Sequence, residues 1–95
     1  MDCAEVQISV HAFKRFDDRG FIASDIRTAL RTGKIIEEYP DDKPWPSCLV
    51  LGIIGERYVH IVVARDEESK VCRVVTAYEP EEAKWGPDRV TRKTK

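Results

Sequence analysis

The spacing of apolar residues changes once along this chain, at Gly33, and that change limits the fold more than any other feature. Before it, apolar residues recur at helical spacing. After it, they run in short stretches rich in β-branched residues, the pattern of strands. Helices first and strands after define an α+β domain of two layers. With 95 residues there is room for one domain. The expected boundaries are 1–95 overall, with a core at about 8–85 and a basic tail at 88–95.

Residues 1–8 read as an irregular or weakly extended lead-in. Ser9 is a good N-cap for a helix over residues 10–19, and Gly20 suits a left-handed C′ position. Phe13 and Phe16 supply that helix's apolar face, with Val10 and Ala12 nearby. A second helix starts from a Ser24 N-cap, with Asp25 at the positive end of its dipole. Ile26, Ala29 and Leu30 form its apolar face, and Gly33 ends it. The pair reads as a helical hairpin.

Strands are expected at residues 34–39, 48–54, 58–64 and 71–78. The segment between the first two holds three prolines, Pro40, Pro44 and Pro46, and is a loop. Gly55 and Glu56 suit a two-residue hairpin turn. Short connections make the four strands an antiparallel meander with the helical hairpin packed on it. Phe13, Phe16, Ile26 and Leu30 are expected in the core. Beyond Tyr78, Pro80 opens a single helical turn that returns Trp85 to the body. The tail from Asp88 is expected to be mobile unless a partner or a groove holds it.

Apolar residues make up 42% and charged residues 35%, which excludes the low-hydrophobicity disordered class. No apolar run is long enough to span a membrane, and no secretory signal is visible, so a cytoplasmic location is expected. Cys3, Cys48 and Cys72 are odd in number and widely spaced. They are expected to pack as small apolar residues, with neither disulfide nor metal. No cofactor motif is present.

The net charge of −1 hides a strong asymmetry. Basic and acidic side chains number six and five over residues 1–34, five and eleven over 35–83, and five and one over 84–95. A basic zone built from the two chain ends is therefore open, although the whole chain lacks the basic footprint of a nucleic-acid binder.

Four groups carry candidate chemistry. His11, Arg15 and Arg19 stand at i, i+4 and i+8 and share one helix stripe. Arginines there would hold phosphate oxygens and stabilise transition-state charge, and the imidazole would move a proton. A solvated face paired with Asp18 or Asp25 fits the same spacing. His60 is a second imidazole, in the third strand, either a second proton-transfer group or a hydrogen-bonded core residue. Thr76 and Tyr78, on one side of the last strand, can hold phosphate, although both are also ordinary strand residues. Tyr39 and Trp45, flanking the proline loop, can stack on bases of single-stranded RNA, or Trp45 can cap the core.

The words SVHA (9–12), RGFI (19–22), GKIIEEYP (33–40), PSCLVLG (46–52), HIVVA (60–64) and TAYEP (76–80) occur in that order, with Arg15 between the first two. Together they resemble the bacterial and archaeal family filed as domain of unknown function 4258, over about residues 8–85. The resemblance implies a RelE-like or BrnT-like fold, as in small toxin ribonucleases that cut RNA without metal. It also implies an antitoxin-like partner protein. The family's recurrent polar positions fall on His11, Arg15, Arg19, Tyr39, His60, Thr76 and Tyr78.

The expected function is a toxin-like, metal-independent endoribonuclease. His11 and His60 would act as base and acid on a ribose 2′-hydroxyl and a 5′-oxygen. Arg15 and Arg19 would stabilise the phosphorane, and Tyr78 would position it. Tyr39, Trp45 and Thr76 would bind substrate. The alternative is a non-catalytic binding module on the same scaffold. An enzyme requires His11, Arg15, Arg19, His60 and Tyr78 to converge on one open site.

Overall fold

The computed structural model describes residues 1–93. Its elements in chain order are β1 (Glu5–Ile8), α1 (Val10–Asp18), α2 (Ala23–Thr32), β2 (Lys34–Tyr39), β3 (Ser47–Ile54), β4 (Arg57–Arg65) and β5 (Val71–Tyr78). The architecture is α+β, with both helices on one face of a five-stranded mixed sheet of order β1-β5-β4-β3-β2. β2 to β5 form the expected antiparallel meander.

The sheet has one strand more than the four expected. Glu5–Ile8 pairs in parallel with the first half of β5, with Val6 opposite Cys72 and Ile8 opposite Val74. Val6 is buried, Ile8 packs against the core, and Glu5 is exposed. Four residues carry too little alternation to be read as a strand, and their partner lies more than sixty residues away in the chain.

Local signals behave as their chemistry dictates at several points. Ser9 Oγ accepts from the Ala12 amide at 3.0 Å, and Gly20 takes φ +73° just beyond α1. Gly55 takes φ +61° in the turn joining β3 to β4. Two expectations need correction, at the start of α2 and in how the helices meet, while Gly33 ends α2 as expected. The N-cap of α2 is Ile22, with Ser24 inside the helix. Gly33 has an ordinary φ of −76°, and glycine is required there for closeness rather than for handedness. A Cβ at Gly33 would stand 2.6 Å from the Ala29 carbonyl oxygen and 2.6 Å from Val50 Cγ1. The helices also do not form a hairpin that buries a shared seam. They lie side by side, α1 over β5 and α2 over β3.

The core lies between helices and sheet. Phe16, Ile26 and Leu30 meet Val50, Val59, Ile61, Val63, Val74 and Ala77, all buried. Phe13 was expected there and is instead 56% exposed. Ala12 and Phe16 define the inward direction of α1, which leaves Phe13 on its flank beside Ile22.

The cysteines also depart from expectation. Cys3 and Cys72 form a disulfide that ties the segment before β1 to β5. Parallel pairing of β1 with β5 brings together two residues 69 positions apart, which no sequence spacing reveals. Cys48 is the buried free thiol. Among the described residues no helix is long and apolar enough to cross a membrane.

Candidate functional site

Side chains alternate across a strand, so the row Leu51, His60, Tyr78 points away from the helices. The row Leu49, Val62, Thr76 lies on the same side. This second face would be open but for the chain beyond β5. Pro80 is buried, and a single turn follows, with the Lys84 and Trp85 amides both donating to the Glu81 carbonyl. Trp85 then returns to the body as expected and is 3% exposed. Its ring meets the His60 imidazole edge-on at 4.4 Å between centroids, and the Tyr78 ring lies 5.5 Å from the same imidazole.

His60 is fully buried by this arrangement. Its Nε2 lies 2.7 Å from the Arg89 carbonyl oxygen. A carbonyl only accepts, so Nε2 carries the proton and Nδ1 is left with a lone pair. Nδ1 has no hydrogen-bond partner among the described residues. Burial lowers the imidazole pKa, against the Arg89 carbonyl and Glu37, which favour the charged form. Burial likewise raises the Tyr78 hydroxyl pKa.

The tail, expected to be mobile unless a partner or a groove holds it, is held as far as residue 93; residues 94 and 95 lie outside the described residues. Arg92 makes two hydrogen bonds to the Glu37 carboxylate, at 2.8 and 2.9 Å, and its guanidinium lies 4.5 Å from the Trp85 ring centroid. Arg92 holds the Glu37 pKa below its ordinary value, and the Tyr39 hydroxyl donates to the same carboxylate. Burial, followed by that carboxylate, raises the Tyr39 pKa.

A cleft of about 630 Å³ opens beside this cluster, lined by Arg19, Arg57, Tyr78, Lys84, Trp85 and Arg92. The cations come from four separate segments of chain. Glu79 and Glu81 also line it and pair with Arg57 and Lys84, and Glu37 pairs with Arg92, leaving one positive charge in excess. Arg19 reaches it past the half of β5 that β1 leaves unpaired, donating to the Ala77 carbonyl at 2.6 Å and to Thr76 Oγ1 at 3.2 Å. Arg57 pairs with Glu79 and donates to the carbonyls of Arg19 and Gly20, closing the C-terminal end of α1.

The site residues expected from sequence therefore divide. Arg19, His60, Thr76 and Tyr78 gather at or beneath one cleft, with Tyr39 alongside through Glu37 and Arg92. His11 and Arg15 do not join them. Both are exposed on α1, while His60 projects from the opposite face of the sheet. Trp45 stands apart, at a second groove on the same face as His60. Sequence reasoning missed Glu37, Arg57, Lys84 and Arg92. One signal pointed to Glu37, Lys84 and Arg92, the basic chain end set against the acidic middle segment, but none pointed to Arg57. Among the described residues no group of three or more His, Cys, Asp or Glu side chains is placed to hold a metal ion.

The sequence profile of the family described as Domain of unknown function (DUF4258) matches residues 8–79. The chain belongs to this family. The matched region runs from the end of β1 to the end of β5 and so contains the His60 face of the sheet. It stops before Trp85, Arg89 and Arg92, so the covering segment of this DUF4258 chain lies beyond the matched region. No curated protein and no solved structure matches the chain.

Proposed function

We propose that this protein is a binding module for RNA phosphate groups, acting through the cleft beside Tyr78. The observation that carries the reading is the convergence of Arg19, Arg57, Lys84 and Arg92 on that cleft, while the two histidines stand on opposite faces of the sheet. Guanidinium groups suit phosphate because they donate in a planar fork. The order of two helices and an antiparallel meander supports a RelE-like or BrnT-like reading of the scaffold. An antitoxin-like protein partner belongs with that reading, and Val10, Phe13 and Ile22 offer it exposed apolar area on the helical layer.

The toxin-like endoribonuclease is the second reading, favoured by the placement of His60 and Tyr78 against the wall of the cationic cleft. Two-histidine acid–base catalysis has no assembled pair to act through. Cleavage would instead need Trp85 to move off His60, leaving Tyr78 and the arginines to hold the phosphate.

Fluorescence anisotropy with a labelled 2′-O-methyl RNA, which lacks the hydroxyl nucleophile, tests binding alone. Binding should weaken with rising salt, and Lys84→Ala should reduce the slope by about one. Binding that does not respond to salt, or is unchanged in an Arg57→Gln, Lys84→Ala double variant, overturns the binding reading. An all-ribose RNA incubated with excess chelator tests cleavage separately.

A further inference from the structure

The face of the sheet that carries His60 holds a second groove, of about 590 Å³, whose chemistry differs from the first. Its walls are apolar, made by Pro44, Trp45, Val62, Ala64 and Val75. The volume is in the range of small-ligand sites. The backbone places it on the same side as the cationic cleft. Val62 pairs with Thr76 and Ala64 with Arg73, in rows that continue from the His60–Tyr78 row. Ala64 lies four positions along β4 from His60, a span of about 13 Å.

Two details make this groove more than a gap between a loop and a sheet. The pairing of β4 with β5 slips between Val62 and Val63, so β5 has an extra residue, Val75. A bulge of this kind re-aims a side chain, and Val75 is 47% exposed and lines the groove. The second detail is charge at the rim. Arg73 lies 5.9 Å from the Trp45 ring centroid and forms no salt bridge among the described residues, where its one side-chain hydrogen bond is to Gln7. Lys43 is exposed beside it, and the carboxylate on the rim, Asp42, is engaged with Ser47.

We infer that this groove is a stacking site for an unpaired nucleobase. The indole of Trp45 would take the base face to face, with Pro44, Val62 and Val75 closing around its edges. Arg73 would turn from the indole to the adjoining phosphate. The inference rests on the RNA reading above and adds to it a preference for single strands, since a base held in a duplex cannot enter the groove. Stacking on an aromatic residue tolerates any base, so the groove supplies affinity for unpaired RNA with little sequence choice. A single strand passing around the segment that covers His60 would reach both sites, its phosphates at the Tyr78 cleft and a base at Trp45.

The test uses the full chain and a labelled 2′-O-methyl oligonucleotide of mixed sequence, single-stranded or annealed to its complement. The single strand should bind at least about tenfold more tightly than the duplex. Trp45→Ala should weaken single-strand binding about tenfold, and Trp45→Phe should keep most of it. Arg73→Ala should weaken binding and lower the salt slope by about one. Thermal melting of each variant identifies loss of fold, and the Phe variant keeps the test informative if the Ala variant unfolds. Equal binding of single strand and duplex, or an unchanged affinity in a folded Trp45→Ala, overturns the inference. The second result, with single-strand binding intact and salt-dependent, leaves the phosphate cleft standing. Weaker binding in the Arg57→Gln, Lys84→Ala double variant, weakened further by adding Trp45→Ala, supports two separate sites.

Discussion

His60 Nε2 donates to the Arg89 carbonyl oxygen at 2.7 Å and so joins the middle of the sheet to a chain end that crosses it. The bond fixes the tautomer and leaves Nδ1 buried without a partner among the described residues. A neutral imidazole is held here, and a charged one would have to be desolvated under Trp85.

Stability should therefore depend on pH through His60. In the unfolded chain this group takes up a proton near pH 6.5, and in the fold its pKa is lowered. Between those two values the unfolded state binds more protons, so stability falls as pH drops below 6.5. The slope for one group is at most about 1.4 kcal/mol per pH unit. Urea midpoints measured from about pH 7.5 to about 5.5 should fall for the wild type, and fall less for His60→Phe. Parallel curves for the two proteins would contradict a neutral, buried His60.

Gly33→Ala should destabilise by about 1–3 kcal/mol, the range for overpacking a tight contact. The added methyl would meet Ala29 and Leu51 backbone oxygens at 2.6 and 2.7 Å, and α2 cannot rise without losing its contact with β3. At Gly55 a Cβ meets nothing within 4 Å, so any cost of Gly55→Ala comes from its φ of +61° alone. Chemical denaturation of the two variants distinguishes collision from backbone strain.

Leu30→Ala should cost about 2–5 kcal/mol, because Leu30 is fully buried between α2 and the sheet. Phe13→Ala should shift stability by no more than about 0.5 kcal/mol, as is usual for exposed positions. If Phe13→Ala costs as much as Leu30→Ala, a second molecule covers that flank of α1, and sedimentation at several concentrations would show the association.

Removing the Cys3–Cys72 bridge frees a long loop in the unfolded chain. The loss expected for Cys3→Ser is about 2–4 kcal/mol. Thermal melts with and without reductant provide the same comparison in the wild type. A wild-type protein whose melting is unchanged by reductant, and which shows three free thiols by titration, would contradict the disulfide.

Much of the architecture was legible in the sequence, because local chemistry decides it. Ser9, Gly20 and Gly55 punctuate the chain through a cap and two positive φ values. The change of apolar period at Gly33 separates helices from strands, and the bounds of β2 and β5 follow from composition alone. Phe16, Ile26 and Leu30 were identifiable as core from their spacing. The His60–Tyr78 side of the sheet was partly legible as well, since alternation puts Thr76 and Tyr78 on one face.

Tertiary structure decided what depends on distant partners. β1 is a strand only because β5 is there to pair with it, and that pairing creates the disulfide. Register, which no single strand encodes, placed Tyr78 opposite His60 and His60 on the face away from His11. The separation of the two histidines is the physical reason that the expected catalytic cluster did not assemble. Sequence spacing lined up His11, Arg15 and Arg19 on one helix stripe, and it could not say on which side of a five-stranded sheet the second imidazole would project.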